Sequence, residues 1–393
     1  MAIVVQKYGG SSVADPQRIA AVADRVVQAA GDGDQVVAVV SAMGRTTDAL
    51  VALAREVSTR PHRREMDLVL SAGERISMAL LAMAIGDRGR SALSLTGSQA
   101  GIITTTDHNQ ARIIEVRPIR VWEALEQGAI VIVGGFAGVS TDKNVTTLGR
   151  GGSDTTAIAL AAALGAKHCD ICSDVDGVYT ADPRVVPDAA RIDRLAHGEV
   201  LELGLRGARV LAPEAMDYAR RHGVTLRARA SFGHGSGTVI TSASRPGSGL
   251  AVAVTSDAAA LPIRMVGGDV NALLQGLHDA GVPLRDCAWT PGQSLEAVLD
   301  TRNTPDAPAL VRSLVGDGAM EVFDALGTAT VVGEGIAEQP EVWRIARGEL
   351  ARLGITPRRM TASPWGLTAQ VDADRLPDVV RAWHAAFPGL RRP

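Results

Sequence analysis

The sequence predicts an α/β protein in which a largely parallel sheet lies between layers of helices and is followed by two smaller repeated modules. Apolar strands alternate with amphipathic helices through the first part of the chain, which is typical of a parallel sheet covered on both faces. The pattern then changes to strand–helix–strand–strand–helix units that occur twice. A length of 393 residues also exceeds the usual size of one domain, so two or three domains are expected.

The first part, assigned to residues 1–245, begins with a strand at Ile3–Lys7. Pro16–Ala30 is predicted to be the first helix, with Asp15 available as its N-cap. Further strands are predicted at Gln35–Ser41, Ala129–Gly134 and Cys169–Ser173, and further helices at Thr47–Val57, Met66–Ala84, Arg117–Gln127 and Asp154–Leu164.

A linker at Ser242–Gly249, rich in Ser, Arg, Pro and Gly, separates this part from the repeats. The first module is assigned to residues 250–326 and the second to residues 327–393, and Leu250–Thr255 is able to add a strand to the second module. The repeated elements are predicted at Leu261–Val266, Val270–Ala280, Asp286–Trp289, Leu295–Asp300 and Ala307–Val315, then at Thr328–Val332, Glu341–Leu353, Arg358–Thr361, Leu367–Val371 and Arg375–Ala386.

Composition and charge argue against several classes of partner. The formal net charge of −3 provides no basic surface, so nucleic acid is not expected as the main partner. The N-terminal residues lack the basic region and long apolar stretch of a signal peptide. Apolar runs such as Met78–Ile85 are shorter than a membrane span. We therefore expect a cytoplasmic protein that binds neither nucleic acid nor membrane.

Cys169 and Cys172 form a C-x-x-C pattern, which in other settings indicates a metal or redox site. No second such pair and no His pair stands nearby, and residues three apart on a strand point to opposite faces. We therefore interpret these two residues and Cys287 as ordinary cysteines.

The first motif with chemical content is Lys7–Ser12 (KYGGSS), which follows the first strand directly. Glycines let the backbone approach a phosphate, and a lysine offsets the charge that develops during phosphoryl transfer. Taken alone, the motif is explained equally well as a simple glycine turn. The chain contains no G-x-x-x-x-G-K-[ST] sequence, so it is not a P-loop protein.

Leu148–Thr156 (LGRGGSDTT) is the most informative segment, because it is a glycine loop that leads into a predicted helix. Ser153 and Asp154 are able to cap that helix, whose N-terminal N–H groups form an anion site. Arg150 is suited to bidentate binding of a carboxylate. An ordinary helix start needs neither three glycines nor an arginine, so the segment indicates a binding site.

Ser173–Tyr179 (SDVDGVY) and Thr180–Arg184 (TADPR) follow the C-terminal end of a predicted strand, where open α/β sheets bind nucleotides. Acidic side chains there are able to meet ribose hydroxyls or a metal, and Arg184 is able to meet a phosphate. Taken alone, this segment is more simply a turn rich in Asp and Gly.

Six sequence motifs together resemble those of the aspartate kinases of the amino-acid kinase family. They occur in the family's order and cover essentially all of residues 1–245. They are KYGGSSV at Lys7–Val13, SAMGRTTD at Ser41–Asp48, SAGERIS at Ser71–Ser77, TGSQAGI at Thr96–Ile102, TTLGRGGSDTTA at Thr146–Ala157 and SDVDGVYTADPR at Ser173–Arg184. The resemblance implies an amino-acid kinase fold followed by two βαββαβ modules of the ACT type, which are small regulatory domains that bind amino acids.

The resemblance also implies a role for each matching residue. Lys7 would stabilise the transferring phosphoryl group, and Asp154 would orient that lysine and the reacting groups. The residues implied to hold L-aspartate are Ser41, Thr47, Glu74, Arg150, Gly151 and Ser153, with Glu74 at the ammonium and Arg150 at a carboxylate. Those implied to bind ATP are Lys7, Gly9, Gly10, Ser173, Asp174, Tyr179, Asp182, Arg184 and Arg209. Mg²⁺ would be carried by ATP, with no direct protein ligands.

The implied reaction is ATP-dependent phosphorylation of the side-chain carboxylate of L-aspartate to 4-phospho-L-aspartate, the first step of the aspartate-family amino-acid pathway. Because that carboxylate is ionised at neutral pH, no general base is required. The difficulty is to bring two anions together, which lysine, Mg²⁺ and helix N-termini address. The implied assembly is a homodimer through the ACT modules, with a higher oligomer left open.

The sequence departs from the family at several positions. Arg209 stands where lysine is usual, which keeps the charge but changes the geometry. Three segments differ from the effector segments typical of members controlled by lysine and threonine: Val266–Val270, Asp286–Pro291 and Thr361–Gly366. We therefore hypothesise an isoform of a specialised pathway with weak or absent lysine and threonine feedback.

Two alternatives to an aspartate kinase stay open. The first is another amino-acid kinase that acts on a different small acid, although the SAGERIS and SAMGRTTD motifs favour aspartate as the substrate. The second is a non-catalytic amino-acid sensor. An intact kinase half beside altered effector segments is the reverse of what such a sensor would show.

Overall fold

The computed structural model describes residues 1–149, 151–208, 210–233, 235–243, 251–292, 294–302, 304, 306–315 and 320–390. The chain forms two compact units. The first comprises Met1–Val178, Arg191–Leu201 and Val210–Arg245, and the second comprises Tyr179–Ala190, Glu202–Arg209 and Pro246–Pro393. The predicted linker lies largely outside the described residues, and the domain boundaries given above stay a prediction.

Twelve strands and seven helices are described in the part of the chain up to residue 243. The strands are β1 (Ile3–Tyr8), β2 (Gln35–Val40), β3 (Ala92–Leu95), β4 (Ile102–Thr104), β5 (Ile113–Val116), β6 (Ile130–Gly134), β7 (Ala137–Ser140), β8 (Val145–Thr147), β9 (His168–Ser173), β10 (Arg194–Ala196), β11 (Leu226–Ala230) and β12 (Thr238–Thr241). The helices are α1 (Pro16–Gly31), α2 (Thr46–Val57), α3 (Arg63–Gly86), α4 (Ile119–Glu126), α5 (Gly152–Ala163), α6 (His197–Leu205) and α7 (Pro213–His222).

The first unit is built on an eight-stranded sheet with the order β10-β12-β11-β9-β1-β2-β6-β3. Every neighbouring pair in it is parallel except β11 and β12. A second, four-stranded sheet has the order β5-β4-β7-β8. Strands β1 and β2 are buried along almost their whole length, as expected when helices cover both faces of a parallel sheet.

Helices α1 and α3 cover one side of the central sheet. Their apolar residues, such as Val22 of α1 and Leu81 of α3, share a core with Ala38 of β2 and Ile132 of β6. Helix α5 packs against β1 and is buried almost all round, as its apolar composition predicts. The predicted class, an α/β fold with a mostly parallel sheet between helix layers, is confirmed.

Helix α3 has 24 residues and a mean hydropathy of 1.6 over its most apolar window, so by length and composition it matches a membrane span. Its inner face also carries the buried polar residues Asp67, Ser71, Glu74 and Ser77. The helix packs against β6 and β8. Only the inner face of α3 therefore packs on the sheets, since 39% of that window is buried, and polar residues interrupt its apolar stretch.

The second unit contains two four-stranded antiparallel sheets, with the strands and helices in the order of two consecutive small modules. Its elements are β13 (Ala253–Asp257), β14 (Ala260–Val266), α8 (Val270–Asp279), β15 (Leu284–Thr290), β16 (Ser294–Asp300), α9 (Ala307–Val315), β17 (Met320–Val322), β18 (Leu326–Val332), α10 (Pro340–Arg352), β19 (Arg359–Ser363), β20 (Gly366–Asp372) and α11 (Leu376–Ala386). The sheet orders are β15-β16-β14-β17 and β13-β18-β20-β19. Strand β13 therefore joins the second module, as the sequence predicts for Leu250–Thr255.

Each small module has its own apolar core. In the first, Leu273 of α8 and Val311 of α9 pack on the sheet. In the second, Trp383 of α11 is fully buried, and Val186 from the segment Tyr179–Ala190 joins the same core. These contacts explain why that segment belongs to the second unit although it follows β9 along the chain.

Candidate active site

Lys7 and Asp154 form an ion pair at one end of the central sheet. Lys7 lies near the C-terminal end of β1, and Asp154 lies in the first turn of α5. The distance from Lys7 Nζ to Asp154 Oδ1 is 2.6 Å, and each side chain is 13% exposed. The pair is therefore accessible from solvent but held in one place, as a group that meets a phosphate requires.

The glycine turn after β1 lies against the loop that follows β2. Gly10 opens a 3₁₀ turn at Gly10–Val13, and a Cβ at Gly10 would lie 2.9 Å from the carbonyl oxygen of Ala42. A Cβ at Gly9 would lie 3.6 Å from Lys7 Nζ. Gly10 is thus needed for a close approach of two backbones, and Gly9 keeps the space beside Lys7 open.

Ser41 and Thr47 lie on the loop and helix that follow β2. The N–H of Ser41 donates to the carbonyl oxygen of Tyr8 at 3.1 Å, which ties this residue to the end of β1. Thr47 lies in the first turn of α2, and both side chains are half-buried. Because β1 and β2 are parallel, their following loops meet at the same edge of the sheet.

The glycine loop before α5 has a left-handed turn at Gly151. This residue has φ of 73° and is the N-cap of α5, without a side-chain capping hydrogen bond. A Cβ at Gly151 would lie 2.1 Å from the Cβ of Ala212, so no larger residue fits. The helix begins at Gly152 rather than at Asp154, and the prediction that Ser153 or Asp154 caps it is wrong, since Asp154 instead pairs with Lys7.

Glu74 is a buried acid, 5% exposed, on the inner face of α3. Its Oε1 accepts a hydrogen bond from the N–H of Ala42 at 3.1 Å, whereas Oε2 has no hydrogen-bond partner among the described residues. Burial raises the pKa of Glu74 to about 7. A buried carboxylate oxygen without a partner is unfavourable, and a ligand ammonium would satisfy it.

Glu74 lines a small pocket that is open to solvent. None of the other residues that line this pocket was assigned a role from the sequence. They include Ser71, Thr96, Gly97, Ser98, Gly134 and Gly135. The polar ones lie inside the SAGERIS and TGSQAGI motifs. Gly134 and Gly135 could have been found from the sequence as two consecutive glycines at the end of an apolar strand.

Gly135 brings the end of β6 against the start of α5. A Cβ at this position would lie 2.9 Å from the Cβ of Ser153, and a Cβ at Gly134 would lie 3.4 Å from the Cβ of Glu74. The two glycines therefore permit Ser153 and Glu74 to approach the same strand end. Lys7, Glu74, Asp154 and Ser153 thus belong to elements that converge at the C-terminal ends of β1, β2 and β6.

The residues predicted to bind the nucleotide divide between the two units. In the first unit, Ser173 ends β9, its carbonyl oxygen accepts from the N–H of Ser231 at 2.7 Å, and Asp174 is exposed. In the second unit, Arg184 Nη2 lies 2.6 Å from Asp182 Oδ2. Tyr179 belongs to the second unit as well and is half-buried. Arg150 and Arg209 lie outside the described residues.

Comparison with known proteins identifies the family. The amino acid kinase family model matches residues 2–228. An aspartokinase of Mycolicibacterium smegmatis is 42% identical, over 98% of this chain and 96% of that protein. An aspartokinase of Corynebacterium glutamicum is 41% identical, over 98% of this chain and 96% of that protein. The chain belongs to the aspartokinase family.

Solved structures agree with this membership of the aspartokinase family. E. coli aspartokinase III, crystallised with aspartate and ADP, has a TM-score of 0.82 and 25% sequence identity, and the match covers 98% of this chain and 99% of that one. The family predicted from the six motifs is confirmed, and the predicted enzyme class, a kinase, is confirmed with it. The amino-acid kinase fold followed by two small modules is likewise confirmed.

Proposed function

We propose that this aspartokinase-family protein transfers the γ-phosphoryl group of ATP to the side-chain carboxylate of L-aspartate. The observation that most supports this proposal is the Lys7–Asp154 ion pair, which lies at the same sheet edge as Glu74. The buried Oε2 of Glu74 has no hydrogen-bond partner among the described residues. The first group suits a phosphoryl group in transfer, and the second suits the ammonium of an amino acid. A carboxylate oxygen of aspartate would bond to the γ-phosphorus while the bond to the β–γ bridging oxygen breaks, giving 4-phospho-L-aspartate and ADP.

The proposed residue roles combine the observed geometry with the family resemblance, on which those of Arg150 and Arg209 rest alone. Asp154 holds Lys7 in place, so that the lysine ammonium can neutralise negative charge on a γ-phosphate oxygen. The carboxylate nucleophile needs no base because it is already ionised. Glu74 takes the ammonium, and Ser41, Thr47, Gly151 and Ser153 border the acceptor. Gly9, Gly10, Ser173 and Asp174 are assigned to the nucleotide, together with Tyr179, Asp182, Arg184 and Arg209. Arg150 is assigned to a substrate carboxylate.

We assign Mg²⁺ to the nucleotide rather than to a protein cage. Among the described residues no group of three or more His, Cys, Asp or Glu side chains could hold a metal ion. Sites for Mg²⁺ in phosphoryl-transfer enzymes commonly combine one or two carboxylates with substrate phosphates. Bound with ATP, the ion would neutralise charge on the phosphates.

A coupled ADP-release assay over a panel of acids tests the proposal. The panel contains L-aspartate, L-glutamate, N-acetylglutamate and succinate, each with MgATP, and Lys7→Ala is the control. We expect turnover with L-aspartate, trapped by hydroxylamine as the hydroxamate, and a large loss in the Lys7→Ala variant. Turnover with another acid alone would replace the substrate assignment, and no turnover with any acid would favour a sensing role.

We also propose weak or absent feedback by lysine and threonine, and a homodimer formed through the small modules. The altered turn Val266–Val270 leads into α8, where Asp269 accepts from the N–H groups of Asn271 and Ala272 and acts as the N-cap. Because this turn and the segments Asp286–Pro291 and Thr361–Gly366 differ from the usual effector segments, millimolar lysine plus threonine should leave activity nearly unchanged, and strong inhibition would refute the idea. Edge strand β15 is largely exposed, with Trp289 61% exposed, which favours strand-to-strand association. Light scattering on the intact chain tests the dimer.

A further inference from the structure

We propose that Asp67 is a positioning residue for the acceptor site, which ties the glycine loop before α5 to the same helix face that carries Glu74. The inference deepens the proposed function and rests on it. Asp67 lies near the start of α3, and its side chain is fully buried. Neither Asp67 nor its partners belong to the residues assigned above to substrate, nucleotide or phosphoryl transfer.

Asp67 receives hydrogen bonds from two separate segments of the first unit. Its Oδ1 accepts from Thr147 Oγ1 at 2.5 Å, and its Oδ2 lies 2.5 Å from His108 Nδ1. The backbone N–H of Asn109 donates to Oδ1 at 3.1 Å. A buried carboxylate is unfavourable unless donors surround it, so this arrangement fixes the loop around His108 and the end of β8 relative to α3.

The two segments held by Asp67 border the glycine loop. Thr147 ends β8 and immediately precedes Leu148 and Gly149, and its carbonyl oxygen accepts from the N–H of Ala111 at 2.9 Å. The carbonyl oxygen of Asn109 lies 3.3 Å from the position of a Gly149 Cβ. Asn109 and Gly149 both have left-handed backbones, with φ of 69° and 76°. Asp67 therefore fixes the position of two adjoining turns, whose left-handed backbones Asn109 and Gly149 adopt readily.

The other end of the link is the helix face that lines the substrate pocket. Asp67, Ser71 and Glu74 are spaced by four and three residues, so they follow one another along one face of α3. Ser71 and Glu74 line the pocket. A shift of the glycine loop relative to Asp67 would therefore change the distance between Glu74 and Ser153. Both residues can contact the same small substrate only if this distance is kept.

A role for the Asp67–His108 pair in proton transfer is not required. The acceptor is a carboxylate that carries no proton to remove, so an acid–base pair has no task in the transfer step. Asp67 also has no exposed surface through which a substrate could be reached. Its expected effect is therefore on the binding of aspartate, with a smaller effect on the binding of ATP.

Steady-state kinetics on four variants of the intact chain test this inference. Thr147→Val removes one hydrogen bond to Asp67 with little change of shape, and Thr147→Ser restores the hydroxyl. Asp67→Asn removes the charge, and Glu65→Gln is the control on an exposed position of the same helix. We expect Thr147→Val and Asp67→Asn to raise the KM for aspartate about tenfold or more, equivalent to about 1.4 kcal/mol, while the KM for ATP changes less than about twofold. Thr147→Ser and Glu65→Gln should resemble the unaltered protein.

The result that overturns the inference is equally specific. Folded Thr147→Val with an unchanged KM for aspartate, or with equal changes in both KM values, would show that Asp67 only stabilises the fold. If Asp67→Asn does not fold, the comparison of Thr147→Val with Thr147→Ser decides the matter. Absence of aspartate-dependent turnover in the unaltered protein would instead refute the proposed function, so the two failures are distinguishable.

Discussion

Replacement of Glu74 by Gln separates the requirements of binding from those of folding. Glu74 is 5% exposed, and burial raises its pKa to about 7 from an ordinary value of 4.5. The folded protein therefore favours the neutral acid, whereas the proposed role requires the carboxylate. Gln has nearly the same shape and no charge, so Glu74→Gln should remove an unfavourable buried charge and also remove the partner of the substrate ammonium.

The effect on stability has a definite sign and pH dependence. Because the folded pKa lies above the unfolded one, the contribution of Glu74 to stability is complete below pH 4.5 and is lost as the pH rises through about 7. Linkage between these two pKa values gives a loss of about 1.4 kcal/mol at pH 5.5 and about 3 kcal/mol at pH 8. Relative to the unaltered protein, Glu74→Gln should thus gain about 2 kcal/mol between these pH values.

Thermal unfolding and kinetics at pH 5.5 and pH 8 measure the two effects. The expected gain corresponds to a rise in the relative Tm of the first unit of about 4–8 °C between the two pH values. The KM for aspartate at pH 8 should rise at least about 30-fold, since loss of one partner of a buried ion pair weakens binding by about 2 kcal/mol or more. A Tm difference independent of pH would contradict the raised pKa, and an unchanged KM would exclude Glu74 as the ammonium partner.

Three further perturbations test other parts of the site. Asp154→Asn should lower kcat about 100- to 1000-fold, because Lys7 loses the carboxylate that holds it at 2.6 Å, and a kcat within about tenfold of the unaltered value would contradict that role. Gly151→Ala should destabilise the first unit by about 1–2 kcal/mol and abolish turnover, since its φ is 73° and a Cβ would overlap Ala212; a fully active, equally stable variant would show that the loop can rearrange. Chelation of Mg²⁺ should stop turnover without changing the Tm, because no group of three potential ligands occurs among the described residues, and a lower Tm would reveal a structural metal site.

The sequence predicted the strand ends at which several site residues lie. Lys7, Ser41 and Ser173 each lie at or just after the end of an apolar strand, and parallel strands place their C-terminal ends together. The same reasoning placed the glycine loop at the start of a helix. Helix bounds were less accurate there, because a left-handed glycine at Gly151 sets the helix start before the polar residues that usually act as caps.

The contribution of Asp67 and the placement of the segment Tyr179–Ala190 could not be predicted in this way. Asp67 matters because Thr147 and His108, which are 80 and 41 residues away along the chain, meet it in the fold. The segment joins the second module because Val186 packs into that module's core. Both depend on tertiary contacts between distant residues, which no local pattern of hydrophobicity or turn residues records.

The charges at the site explain how one small acid can be selected over another. Lys7 and Asp154 form a pair that is neutral as a whole, so they offer no surplus positive charge for a second carboxylate. Above pH 7 an ionised Glu74 adds a buried negative charge, which is favourable only when a ligand ammonium lies next to it. An acid without an ammonium, such as succinate, would leave that charge unpaired beside another anion. The raised pKa of Glu74 therefore makes discrimination between aspartate and succinate weaker below pH 7, where the neutral acid tolerates either ligand.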